Sequence, residues 1–370
     1  MASAHTSTPE LAQPTETAHY RVGVVLWKAH DGMAQAIAEA LIELGHTALP
    51  FDCDGPVPTG VDVVFSQGPY GRFLKIPRRL SQLPPDQRPM LVHWNDEGLP
   101  DLRLPWTLMA AMGDWRSRVG RLVDSPSALL RGLGEHPPLA WLQRRMMRFS
   151  YLGDYHYAYQ QGWLTLLVDF SKIYAALHSA HGLPTLAVPW GAARSWSADL
   201  GLERNIDVLW MGARASRRRS QLLDRVRREL GHLGIDMYIA DNEEHAFIFG
   251  DERTHVLNRA KITLNLTRTW YDDNYLRFPI VMPNRSLIVS ETLLPHCTDY
   301  VPGQHYVSAP VAKLAETIHY YLVHESERRQ IVENAFQLIS TDLTLTNSVG
   351  RIMAAVSQHP LAARRRPSAA

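Results

Sequence analysis

Short, valine-rich runs alternate with segments of helical periodicity along this chain, and the alternation starts twice. The run "YRVGVVLW" (20–27) reads as a buried parallel strand. "GMAQAIAEALIELG" (32–45) follows it with apolar residues at helical spacing and a closing glycine. "HTALPFD" (46–52), "VDVVFSQG" (61–68) and "PMLVHWND" (89–96) read as three further strands. "WLTLLVDF" (163–170), the helix "SKIYAALHSAHG" (171–182) and the short strand "PTLAVPW" (184–190) extend the same sheet. This order predicts a doubly wound α/β domain.

The stretch "GAARSWSADLGLERN" (191–205) is small, polar and aperiodic, as a linker would be. The pattern then restarts. "IDVLWMG" is a strand, "SRRRSQLLDRVRREL" a helix and "IDMYIAD" (235–241) a second strand. "THVLNRA" reads as helical, "KITLNLT" (261–267) as a strand, and "RSLIVSE" (285–291) as the last strand. Two amphipathic helices, "VAKLAETIHYYLVH" and "ESERRQIVENAFQLI", come near the end. A length of 370 residues suits two cores rather than one. The expected division is a first domain over 19–195 and a second over 196–358, with disordered tails at 1–18 and 359–370.

A hydrophobic fraction of 45% with 20% charged residues describes a soluble globular protein. The net charge of +1 gives no global attraction to nucleic acid. Two cysteines, Cys53 and Cys297, make neither a disulfide framework nor a cysteine zinc site, and they fit a reducing cytoplasm. The polar opening residues lack the apolar core of a secretory leader, and no apolar run nears the ~20 residues of a membrane span.

The segment with the most chemistry follows "IDVLW". Gly212 closes a strand, and Arg214, Arg217, Arg218 and Arg219 crowd the start of a helix that Ser216 is placed to cap. Open α/β sheets bind ligands beyond the carboxyl ends of their strands. A glycine there admits a ligand to the backbone, and the first-turn N–H groups favour a phosphate. Cations in a first turn oppose the helix dipole, and an anion relieves that conflict. The competing account is a solvated arginine face.

Other candidates lie at strand ends of the first half. "KAHDGM" follows the first strand in place of G-x-G-x-x-G, so the nicotinamide fingerprint is absent. His30 and Asp31 sit there, as a titratable pair or as a loop histidine and a helix cap. "HWNDEGLPD" (93–101) gathers His93, Asn95, Asp96 and Glu97 in one loop, where a catalytic carboxylate or a plain turn could stand. "DCD" (52–54) matches the metal-binding D-x-D pattern superficially, but it precedes a turn and reads as loop. "YDDNYLR" (271–277) offers Asp273 and Asn274 to sugar or ribose hydroxyls and Arg277 to a phosphate.

Taken in order, "NIDVLWMGARASRRRSQLLDRV", "GDERTHVLNRAKITLNLT", "RSLIVSETL" and "DYVPGQHYVSAPVAKLAETIHYYLVHESERRQIVENAFQLI" resemble the C-terminal domain of CgeB-type glycosyltransferases. "VDFSKIYAALHSAHGLPTLAVPWGA" resembles the segment leading into that family's interdomain linker, so the likeness spans roughly 160–345. The resemblance implies a GT-B fold, in which two Rossmann-like domains face each other across a cleft. It also implies a nucleotide-diphosphate-sugar donor on the second domain, an unidentified acceptor in the cleft, and no metal or other cofactor. By the same resemblance Gly212, Arg214 and Arg217 lie near the donor phosphates, and Lys261 and Asn265 lie on a strand opening on the nucleotide. Arg277, Ser290 and Glu291 fall at donor-facing positions. His30, Asp96 and Glu97 are the candidate bases. One departure stands out: where relatives have the glutamate of "FEALACG", this chain has "FPIVMPNR", with Ile280 in its place. A nucleotide-sugar-binding protein without turnover is therefore the alternative.

Overall fold

The computed structural model describes residues 18–28, 31–68, 73–123, 127–129, 132, 136–269, 275–294 and 299–363. The first sheet has six parallel strands in the order β2-β1-β3-β4-β5-β6. They are β1 (Arg21–Leu26), β2 (Thr47–Asp52), β3 (Val63–Gln67), β4 (Met90–Asn95), β5 (Leu166–Asp169) and β6 (Thr185–Ala187). β3 and β4 are buried at every position, as strands covered on both faces must be. The helix Gly32–Glu43 starts on the Asp31 carboxylate, which accepts the Ala34 N–H, and buries Ile37, Ala40 and Leu41.

The second sheet is five-stranded and parallel, in the order β11-β10-β9-β7-β8. Its strands are β7 (Ile206–Met211), β8 (Met237–Ala240), β9 (Ala260–Asn265), β10 (Leu287–Glu291) and β11 (Val307–Ala309). β11 corrects the expectation that 285–291 closes the strand list. At three residues it is too short to carry a period, and only pairing with β10 defines it. The helix Arg217–His232 buries Leu223, Val226 and Leu230 against β7 and β9.

The chain crosses between the sheets at 188–205 and returns beyond residue 341. The helix Leu345–Gln358 follows the second sheet in sequence yet packs its Leu345, Val349, Ile352 and Val356 into the first domain's core, beside Gly32–Glu43. At this crossing Ala192 and Thr344 form a bridge, and a Cβ at Gly191 would overlap the Thr344 carbonyl. Trp94, in β4, and Trp190, just beyond β6, stack 3.9 Å apart in the first domain's core. Among the described residues no helix is long and apolar enough to cross a membrane.

Each sheet reverses its winding next to its first strand, between β1 and β3 in one and between β7 and β9 in the other. Parallel sheets open a crevice at that point, beyond the carboxyl ends of the strands. Both crevices hold polar loops.

Candidate functional site

In the second domain the crevice is a pocket of about 430 Å³. Main chain from Met211 to Ala213 forms one edge and Phe247–Phe249 another, while Leu276 and Ile280 form an apolar wall. Four guanidinium groups line it: Arg219, Arg253, Arg268 and Arg277. None of the described lining residues is acidic.

The turn after β7 sets this geometry. Gly212 has φ of 118°, a backbone region that L side chains avoid, and an added Cβ there would sit 3.0 Å from the Arg277 guanidinium. Its N–H donates to Ala240 O at 3.0 Å, and its carbonyl accepts the Trp210 indole N–H at 2.9 Å. Ser216 caps the helix by accepting the Arg219 N–H, and its hydroxyl donates to Arg268 O at 2.9 Å. The helix start and the chain after β9 are thereby tied together, with first-turn N–H groups beside the pocket.

Arg277 is held from below. Its Nε donates to Met211 O at 3.0 Å, one terminal nitrogen donates to Asn265 Oδ1 at 2.9 Å, and its plane lies 4.4 Å from the buried Trp210 ring. Asn265 in turn donates to Ser290 Oγ at 3.0 Å. Glu291 accepts the Thr267 N–H at 2.7 Å and pairs with Arg218. Asn265, Ser290 and Glu291 are all buried and outside the pocket lining; Asn265, backed by Ser290, orients Arg277, while Glu291 holds Thr267 and Arg218. Burial also pulls the Arg253 pKa below its ordinary value, because a desolvated guanidinium lacks the water that stabilises its charge.

Three expected donor residues are placed differently. Arg214 lies outside the pocket lining, between Asp224 (2.5 Å) of the helix Arg217–His232 and, just beyond β8, Asp241 (2.7 Å), Glu244 (3.3 Å) and Glu243 (3.4 Å). A cation so neutralised brings little field to a ligand. Arg217 is exposed and outside the lining. Lys261 is the second residue of β9, so it stands at the amino end of a parallel strand, ion-paired to Asp207 at 2.6 Å. From there the carboxyl end is about 13 Å away at strand rise. Asp273, Asn274 and His30 lie outside the described residues. Arg253 and Arg268 were not anticipated. Arg268 follows the end of β9, a carboxyl strand end like the turn after β7.

The first domain presents its own strand ends. Asp31 is fully buried and accepts from Trp27 N and from Gln67 Nε2 at 3.1 Å, which fixes it as a structural cap between β1 and β3. His93 is enclosed between Ser66 and Tyr155, and burial depresses its pKa to about 3. Glu97 reaches across to the second domain and pairs with Arg268 at 3.1 Å. Beside it Asp96 is half-buried, with Oδ1 sealed from solvent and without a hydrogen-bond partner among the described residues. Burial, reinforced by the charge of Glu97, raises the Asp96 pKa to about 7.

Residues 217–354 match a family model described as glycosyl transferase-like. HepE from Anabaena, solved with UDP and glucose, superposes over 92% of this chain and 100% of its own, with a TM-score of 0.53 at 10% identity. WaaG, a glycosyltransferase of lipopolysaccharide biosynthesis, superposes over 91% of this chain and 100% of its own, with a TM-score of 0.54 at 12% identity. A glycosyltransferase from Rickettsia africae gives a TM-score of 0.54 at 9% identity, over 92% and 98% of the two chains. No curated protein matches in sequence. The fold is GT-B: two parallel-sheet α/β domains arranged as in these glycosyltransferases. Fold and family match together support a glycosyltransferase enzyme.

Proposed function

We propose that this protein is a CgeB-like glycosyltransferase that moves a sugar from a nucleoside-diphosphate donor to an acceptor bound against the first domain. The observation that carries this reading is the pocket at the second sheet's reversal point, with four arginines, a helix start and no acidic residue among those described. A diphosphate in this pocket would meet the guanidinium groups of Arg219, Arg253 and Arg277, with Arg268 shared with Glu97. Fixed cations and N–H dipoles stabilise the charge that grows on the leaving phosphate, so the reaction needs no metal there. The UDP bound to HepE is consistent with such a donor.

In the transfer, the acceptor hydroxyl oxygen bonds to the anomeric carbon as that carbon's bond to the phosphate oxygen breaks. The electron pair leaves with the nucleoside diphosphate. The hydroxyl proton passes to Asp96, whose raised pKa suits a base working near neutrality. Glu97 acts through Arg268, and Asn265 acts through Arg277. Closure of the two domains would exclude water from the reacting centre.

Ile280 favours a second reading. It puts an apolar side chain on the pocket wall where relatives have a glutamate, which suits a protein that binds the donor without turning it over. A panel of uridine, thymidine and guanosine diphosphates and their sugars separates these accounts. A rise in melting temperature with a nucleoside diphosphate supports both. Release of that diphosphate from its sugar, abolished in Arg277→Ala, supports transfer. Stabilisation by nicotinamide nucleotides alone would reject both.

A further inference from the structure

The loop that carries Asp96 and Glu97 stands on a buried polar network. Its members come from four elements: Ser66 from β3, His93 and Asn95 from β4, Asp169 from β5 and Tyr155 from the helix Met147–Gln160. All five are buried. The Asn95 side chain donates from Nδ2 to Glu97 O at 2.8 Å, and its Oδ1 accepts the Glu97 N–H at 3.3 Å. One amide thus grips the main chain on both sides of Glu97, and the short ring it closes contains Asp96.

The chemistry of the partners fixes the direction of each hydrogen bond. Asn95 Nδ2 faces acceptors, Glu97 O and the Asp169 carboxylate, each at 2.8 Å, so an amide turned over would lose both. Asn95 Oδ1 also takes the Tyr155 hydroxyl proton at 3.0 Å. That hydroxyl has no second proton to give, so His93, 3.1 Å away, donates to it from Nε2. The neutral ring then accepts at Nδ1 from Ser66 Oγ at 3.1 Å. Asp169 is itself anchored, its Oδ1 accepting the Ser171 N–H at 2.9 Å. The Phe73 ring packs against this chain, 4.5 Å from the His93 ring and 4.8 Å from that of Tyr155. A satisfied buried network rigidifies what it holds, and loss of one member unsettles the rest.

We infer that Tyr155 is a positioning residue: its hydroxyl joins His93 to Asn95, locks the Asn95 amide, and so holds the Asp96 carboxyl in its half-buried setting and Glu97 within reach of Arg268. The inference rests on the reading of Asp96 as the base for its catalytic meaning, but the hold on the loop is testable without donor or acceptor.

Tyr155→Phe removes the hydroxyl and keeps the ring. The readout is the titration of Asp96, followed by carbon NMR in protein labelled at the aspartate γ-carboxyl, with Asp96→Asn to assign the signal. In the wild type Asp96 should titrate at about 7, where burial holds it. In Tyr155→Phe the loop loosens, water reaches the carboxylate, and the midpoint should fall by about one pH unit or more, a tenfold change in proton affinity. The charged neighbours Glu97, Arg268 and Asp31 are unaltered, so the shift reports position rather than charge. A purely structural role would lower the melting temperature and leave the midpoint where it was, and that result overturns the assignment. So does an ordinary aspartate midpoint in the wild type. If Tyr155→Phe does not fold, Asn95→Ser, which cannot grip Glu97 on both sides, should give the same fall, and an unchanged midpoint there overturns it equally. The titration involves no ligand, so its outcome is separate from whether transfer occurs.

Discussion

Replacing Asp96 by asparagine should stabilise the protein above neutral pH while removing its activity. Asp96 stands at about 7, where an ordinary aspartate is near 3.8, because its carboxylate is buried beside Glu97. That difference corresponds to on the order of 4 kcal/mol between the two protonation states. The folded state holds the proton to higher pH than the unfolded chain does. Stability from this group is therefore fully present below about pH 4 and lost as pH rises through 7. At pH 8 the wild type carries most of that penalty and Asp96→Asn carries none. Urea unfolding at pH 5 and pH 8 should show the wild type losing roughly 2.5 kcal/mol more than the variant over this interval, the rest of the loss falling below pH 5. If Asp96 is the base, kcat falls by roughly 10²–10⁴ and the acidic limb of the rate profile near pH 7 disappears. Equal pH dependence of stability in the two proteins would refute the burial argument. Retained activity would refute the role as base.

Further predictions follow from other contacts. Glu97→Gln removes the carboxylate 3.1 Å from Arg268, and UDP binding measured by calorimetry should tighten roughly two- to fivefold, the size of a part-exposed ion pair. His178 is buried, and burial, aided by His156 and His181, holds its pKa near 3. The unfolded chain takes up the proton below about pH 6.5, so stability is full above that pH and declines toward pH 4; thermal melts of His178→Asn should show a shallower decline. Gly113 and Gly153 meet where the helices Trp106–Val123 and Met147–Gln160 cross, and a Cβ on Gly153 would overlap the Gly113 carbonyl. Gly153→Ala should cost roughly 1–3 kcal/mol in chemical unfolding without moving donor affinity.

Much of this architecture is legible in the sequence because parallel strands announce themselves. Val22, Val24, Val63, Val64, Leu91 and Val92 are buried on both faces, and no other element tolerates such runs between turn residues. The helices over 106–160 carry a weaker signal. In Met147–Gln160 tyrosines and small residues replace a clean aliphatic stripe, so burial there follows from the packing at Gly113 and Gly153. The turn at Gly212 was readable from a glycine, a capping serine and their place after a strand. Which arginines line the pocket was not. Arg214 and Arg219 are close in sequence, but Asp241 and Glu244, supplied by the end of β8, draw one away while Trp210 stays beneath the other. Arg253, Arg268 and Arg277 come from separate elements, and only folding brings their charges to one cavity.

The central claim is that this arginine pocket grips a diphosphate, and its most direct test is calorimetric titration of UDP into wild type and Arg277→Gln at two salt concentrations. Saturable binding to the wild type is predicted, weakening as salt rises and falling at least tenfold in the variant, whose amide cannot replace the charge. No binding of UDP, thymidine diphosphate or guanosine diphosphate to the wild type, or equal affinity in the variant, would contradict it.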